Sequence, residues 1–64
     1  MKFRCVDDTE LPLFGLRKKI EGITRGKVYF GQPEALYGNR LVLIVYGDNG
    51  HWKIYGLERF EPQE

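Results

Sequence analysis

The chain has 64 residues, a formal net charge of +1 at pH 7, 42% hydrophobic residues and 14% aromatic ones. That length holds one small domain, residues 1–64, which buries only about 60% of the surface its unfolded form exposes and so has a marginal core. One cysteine, Cys5, excludes an internal disulfide, and with one histidine, His51, it leaves too few soft ligands for a structural zinc site, so four phenylalanines, four tyrosines and one tryptophan must supply the core.

Residues 2–6 alternate, with Phe3 and Cys5 on one face and Lys2 and Arg4 on the other, the two-residue period of a half-buried strand. Asp7-Asp8-Thr9-Glu10 ends it, and Pro12 cannot donate to a ladder. Residues 7–22 form a long excursion; a one-turn helix over 16–20 has no cap, so the segment reads as a loop folding Leu11, Leu13, Phe14, Leu16 and Ile20 back on the sheet. Loops of this length are uncommon in compact domains and often functional.

Gly22-Ile23-Thr24-Arg25-Gly26 reads as a polar turn, and Lys27-Val28-Tyr29-Phe30 as a strand. Gly31, Pro33, Gly38 and Asn39 mark a loop over 31–39, and Arg40 to Tyr46 is the strongest strand, apolar on both faces and therefore interior. Gly47-Asp48-Asn49-Gly50 contains Asn-Gly, a hairpin signal because that turn needs positive φ. His51 to Tyr55 alternates, which predicts Trp52 and Ile54 inward and Tyr55 outward. Gly56-Leu57-Glu58-Arg59 suits one helical turn, and Phe60 to Pro62 a last short strand. Five short strands around one layer of aromatics predict an all-β fold, a small five-stranded barrel with one long loop and a short helical turn before the last strand.

This order of elements is similar to the Src-homology-3-like barrel. Ile23-Thr24-Arg25-Gly26-Lys27-Val28-Tyr29 resembles the turn-plus-strand pattern hydrophobic, Thr, x, Gly, Lys, x, Tyr of small phage and prophage proteins. Those proteins also begin like Cys5-Val6-Asp7 and end in a strand like Leu57-Glu58-Arg59-Phe60-Glu61 after a hairpin like Asp48-Asn49-Gly50. The insertion from Glu10 to Glu21 departs from the pattern. That family has no agreed activity, so the resemblance implies a fold and carries over no functional residue. Proline-peptide recognition by Src-homology-3 domains is a weaker likeness, since the long loop offers Phe14 but no tyrosine motif, and Trp52 falls too late for the groove.

No apolar run approaches the roughly 20 residues that cross a bilayer. Met1-Lys2-Phe3-Arg4 leads into acids rather than an apolar stretch, and the thiol is solitary, so we expect a cytoplasmic protein without a membrane partner, in the host cell if phage-encoded. The pI near 7.9 is low for a dedicated nucleic-acid domain. Charge is uneven, however: Asp7, Asp8 and Glu10 precede a basic stretch of Arg17, Lys18, Lys19, Arg25 and Lys27 broken only by Glu21, and the tail carries Glu58, Glu61 and Glu64 against Arg59.

Asp7, Asp8 and Glu10 lack the further ligands and the glycine of a calcium loop, so they read as an acidic turn, and no metal or cofactor is expected. Cys5 reads as a buried structural thiol and His51 as a surface group rather than a nucleophile and base. The chain contains no serine and no glycine-rich loop leading into a helix, so we expect no enzyme. The first expectation is a non-enzymatic protein-interaction module, a monomer or weak homodimer, that binds and modulates a host factor with an acidic surface. Its contact surface would combine Phe14 and Tyr37 with Arg17, Lys18 and Lys19. The alternative is a small nucleic-acid-binding barrel that stacks bases on Tyr29, Tyr46 and Tyr55 and tracks phosphates with Lys27, Arg40 and Lys53.

Overall fold

The computed structural model describes residues 1–12 and 14–63, apart from the side chain of Tyr37. The all-β expectation holds. Among the described residues seven strands run β1 (Lys2–Cys5), β2 (Thr9–Glu10), β3 (Lys18–Lys19), β4 (Val28–Leu36), β5 (Arg40–Tyr46), β6 (Trp52–Gly56) and β7 (Phe60–Gln63), with 3-10 turns at Tyr37–Asn39 and Leu57–Arg59. Five form an antiparallel sheet in the order β6-β5-β4-β1-β7, and β2 pairs with β3 in a separate hairpin. By its hydrogen bonding the sheet is open, with β6 and β7 at its edges.

β1 forms as its alternation requires, with Phe3 and Cys5 buried. The loop expected over 31–39 is instead mostly strand. β4 continues through Gly31 and Pro33 to Leu36, pairing with β1 over Val28–Phe30 and with β5 from Gly31 onward. Proline is tolerated there because odd-numbered residues of β4 turn their N–H groups toward β1: Gly31 donates to the Met1 carbonyl at 3.0 Å, and β1 has ended by position 33. Gly31 marks the corner where β4 changes partner, and a Cβ there would lie 2.9 Å from Leu43 Cγ. The connection to β5 shrinks to the turn at Tyr37–Asn39, where Gly38 and Asn39 both take positive φ.

The long excursion is a short hairpin rather than a bare loop, with Thr9 opposite Lys19 and Glu10 opposite Lys18. Its apolar residues part company. Ile20 is buried as expected, whereas Leu11, Phe14 and Leu16 are exposed; Leu13 lies outside the described residues. The turn after it is not purely polar either, because Ile23 is wholly buried among Phe3, Cys5, Tyr29, Leu43, Val45, Tyr55 and Phe60.

β6 is turned over relative to expectation. The Asp48-Asn49-Gly50 segment is a three-residue loop: Gly47 N–H donates to the His51 carbonyl at 3.0 Å, Gly50 N–H donates to the Gly47 carbonyl at 3.1 Å, and Gly50 alone of the three has positive φ. This is a type I turn closed by a glycine bulge, not a two-residue turn on Asn49-Gly50. One residue of difference in loop length shifts register by one and sends every side chain of the strand to the other face. Leu43 therefore pairs with Tyr55 and Val45 with Lys53, so Tyr55 is buried while Trp52 and Ile54 join Ile44 and Tyr46 on the outside.

Candidate interaction surface

The segment Thr24-Arg25-Gly26-Lys27-Val28-Tyr29 finds its partner in Asp48. The Asp48 carboxylate accepts the Thr24 hydroxyl at 2.7 Å, the Tyr29 hydroxyl at 3.0 Å and the Lys27 ammonium at 3.1 Å. The Tyr29 hydroxyl in turn accepts the Thr24 N–H at 2.7 Å. The Thr24 hydroxyl bond, more than the neighbouring lysine, holds the Asp48 carboxyl below the usual carboxylate range, and burial raises the Tyr29 phenol. Close backbone approach makes this possible: Asp48 N–H donates to the Gly22 carbonyl at 2.7 Å, and a side chain at Gly47 would strike that same carbonyl. The motif is a clasp between two turns, and it holds the protein together rather than presenting a ligand site.

The residues expected to form a nucleic-acid surface do not share one. Tyr29 and Tyr55 are only 7% and 6% exposed, with the Tyr55 hydroxyl donating to the Glu21 carbonyl at 2.9 Å, so neither ring is available for stacking. Lys27 is committed to Asp48, Lys53 lies over the Tyr55 ring with its nitrogen 5.7 Å from the centroid, and Arg40 lines a hollow of about 490 Å³ with Leu41 and Leu57. Of the three tyrosines only Tyr46 is open to solvent.

The basic hairpin is also partly occupied. Arg17 donates to the Thr9 hydroxyl at 2.9 Å and lies 3.8 Å from Asp7; Lys19 donates to the carbonyls of Ile20 and Ile23 and lies 3.8 Å from Asp8. Asp7 also accepts the Thr9 N–H, which lowers its carboxyl, and faces Arg59 at 3.4 Å. The acidic turn and two of the three hairpin cations thus neutralise each other. Lys18 makes no ion pair among the described residues, Phe14 is exposed in the bend, and the Tyr37 side chain lies outside the described residues.

Trp52 and Ile54, expected inside, instead join Tyr46 in an apolar patch on the outside. Tyr46 stands opposite Trp52, their rings 5.3 Å apart in an edge-to-face contact, and Ile44 stands opposite Ile54 in the next row. Trp52 is 62% exposed, Ile54 53% and Tyr46 49%. On the same outer face of β4, Phe30 is exposed beneath the Lys2 ammonium at 5.8 Å. The face was legible in principle: Leu43 and Val45 cannot both point inward with Trp52 and Ile54 once the hairpin loop has three residues. Cys5 is buried, which raises its thiol, while His51 is exposed beside the hairpin. Among the described residues no cluster of three or more histidine, cysteine or acidic side chains gathers to hold a metal, and no helix is long and apolar enough to cross a membrane. A comparison with protein families, curated proteins and solved structures returns no match.

Proposed function

We propose that the protein is a non-enzymatic interaction module that docks a partner protein on the outer face of β5 and β6. The observation that carries this reading is the Tyr46–Trp52–Ile54 patch. Its exposed area is on the order of 350 Å² from the side-chain sizes and their exposure, within the range of the largest, often functional, patches on monomers. Tyrosine and tryptophan at the centre of such a patch are the residue types that dominate binding energy at interfaces. In the setting implied by the likeness to small phage proteins with a Src-homology-3-like barrel, the partner is a host factor in the cytoplasm. Lys2, over Phe30 on that outer face, favours an acidic surface on it.

The test is affinity capture from host lysate with the tagged protein, with and without nuclease, comparing wild type with Trp52→Ala and Ile54→Thr. A single stoichiometric protein that survives nuclease and is lost with Trp52→Ala supports the module. Capture that disappears on nuclease treatment, or by about 0.3 M salt as release of phosphate counterions requires, replaces it with nucleic-acid binding. Capture unaffected by either substitution removes this face from the reading.

A further inference from the structure

The two edges of the five-stranded sheet are not equivalent. On β7, Glu61 and Gln63 bond to β1, in phase with the Val6 N–H that donates to the Arg59 carbonyl at 2.8 Å. The outward positions are then Phe60 and Pro62. The Phe60 N–H is taken by the Leu57 carbonyl, and Pro62 has no N–H at all. That edge is closed to a further strand.

β6 has no such protection. The Gly47-to-His51 bond fixes the phase so that Lys53 and Tyr55 exchange hydrogen bonds with β5, and Trp52 and Ile54 turn their N–H and C=O groups outward. Among the described residues nothing bonds to those groups, and both side chains are exposed. Beside this edge runs a groove of about 330 Å³, lined among others by Ile20, Lys53 and Ile54, with room for the inward side of an added strand.

We propose that β6 receives an extended segment of the partner protein as a sixth strand, with an acidic residue opposite Lys53 and apolar residues opposite Trp52 and Ile54. This rests on the interaction-module reading and names the mode of contact. Unpaired backbone groups supply the hydrogen bonds, and alternate side chains supply selectivity. The groove carries Lys19, Lys53, Glu10 and Glu21 and is neutral as a whole, so the charge preference falls to Lys53, the residue directly across the new ladder. A second copy of this chain fits poorly. Antiparallel self-pairing centred on Lys53 sets two ammonium groups face to face. Centred on Ile54, it puts each Trp52 beside the other copy's Gly56, where the Glu58 carboxylate lies over the glycine and would have to swing away.

The test uses the whole nitrogen-labelled protein with two end-blocked pentapeptides, Thr-Val-Glu-Val-Thr and Thr-Val-Lys-Val-Thr, followed by NMR amide shifts and hydrogen exchange. At saturating glutamate peptide, exchange of the Trp52 and Ile54 amides should slow by about ten-fold while the already bonded Lys53 and Tyr55 amides change little. The glutamate peptide should bind roughly three-fold tighter than the lysine peptide, and Lys53→Glu should reverse that order. No response at the Trp52 and Ile54 amides at millimolar peptide overturns the proposal, as does equal binding of both peptides. Slow exchange at these amides in a free protein that sediments as a dimer overturns it in favour of self-pairing. Lysate capture that depends on Trp52, with no peptide response at the edge, also overturns strand addition while leaving the interaction module standing.

Discussion

Asp48→Ala should be costly for a side chain in a surface hairpin. The substitution removes the acceptor of the Thr24 and Tyr29 hydroxyls and of the Lys27 ammonium, all within 3.1 Å. The lysine contact is exposed and contributes less than about 1 kcal/mol. The larger loss is at Tyr29, a buried residue whose hydroxyl would keep its bond from the Thr24 N–H but lose the group it donates to. Leaving one buried donor unmatched costs about 1–3 kcal/mol, so we expect about 2 kcal/mol for Asp48→Ala. A domain of this size loses about 4–8 °C in Tm per kcal/mol, which predicts a fall of about 8–16 °C by circular dichroism. Lys27→Ala should lower Tm by less than half as much. Acid provides a second reading. Because the folded state depresses the Asp48 carboxyl, its contribution is complete above the ordinary carboxylate range and is lost as pH falls through the lower folded value. The stability difference between wild type and Asp48→Asn should therefore shrink on acidification. A Tm for Asp48→Ala within about 2 °C of wild type would refute the clasp.

Ile23→Ala should cost about 2–5 kcal/mol, enough to leave much of a domain this small unfolded in a urea titration, whereas Trp52→Ala should cost no more than about 1 kcal/mol, because its side chain lies outside the core and loses only the cross-strand contact with Tyr46. Gly31→Ala sets a methyl group 2.9 Å from Leu43, itself fully buried, and should destabilise by about 1–3 kcal/mol in the same titration. Cys5 should react with a disulfide reagent only at the rate of unfolding, since burial both shields the thiol and raises it; prompt reaction of the native protein would place it elsewhere.

Much of the architecture can be read from residue patterns alone, where one face of a strand is unambiguous. β1 follows from Phe3 and Cys5, β5 from its run of branched residues, and the last turn and strand from Gly56 and Phe60. The failures have specific causes. Gly31 and Pro33 look like loop residues because nothing local reveals that the strand on that side has ended, which is what makes proline harmless at 33. The faces of β6 depend on whether a hairpin loop has two residues or three, and β5, apolar on both sides, does not arbitrate. Ile23 sits in a segment that reads as polar, and only the approach of Gly22 to Gly47 shows why it is central. The same approach explains Thr24, Lys27 and Tyr29: their spacing is visible in the sequence, but their shared target lies some twenty residues away. The candidate contact surface was the least legible part, since two of its three members, Trp52 and Ile54, read as interior and only Tyr46 as exposed.

The proline at position 62 has a consequence for stoichiometry. A sheet that can be extended at both margins is a link, and links polymerise; a sheet that can be extended at one is a cap. With the Phe60 N–H consumed internally and Pro62 lacking one, any strand accepted at the opposite margin leaves this molecule with no second valence. Under strand addition at β6, each chain would therefore accept one strand.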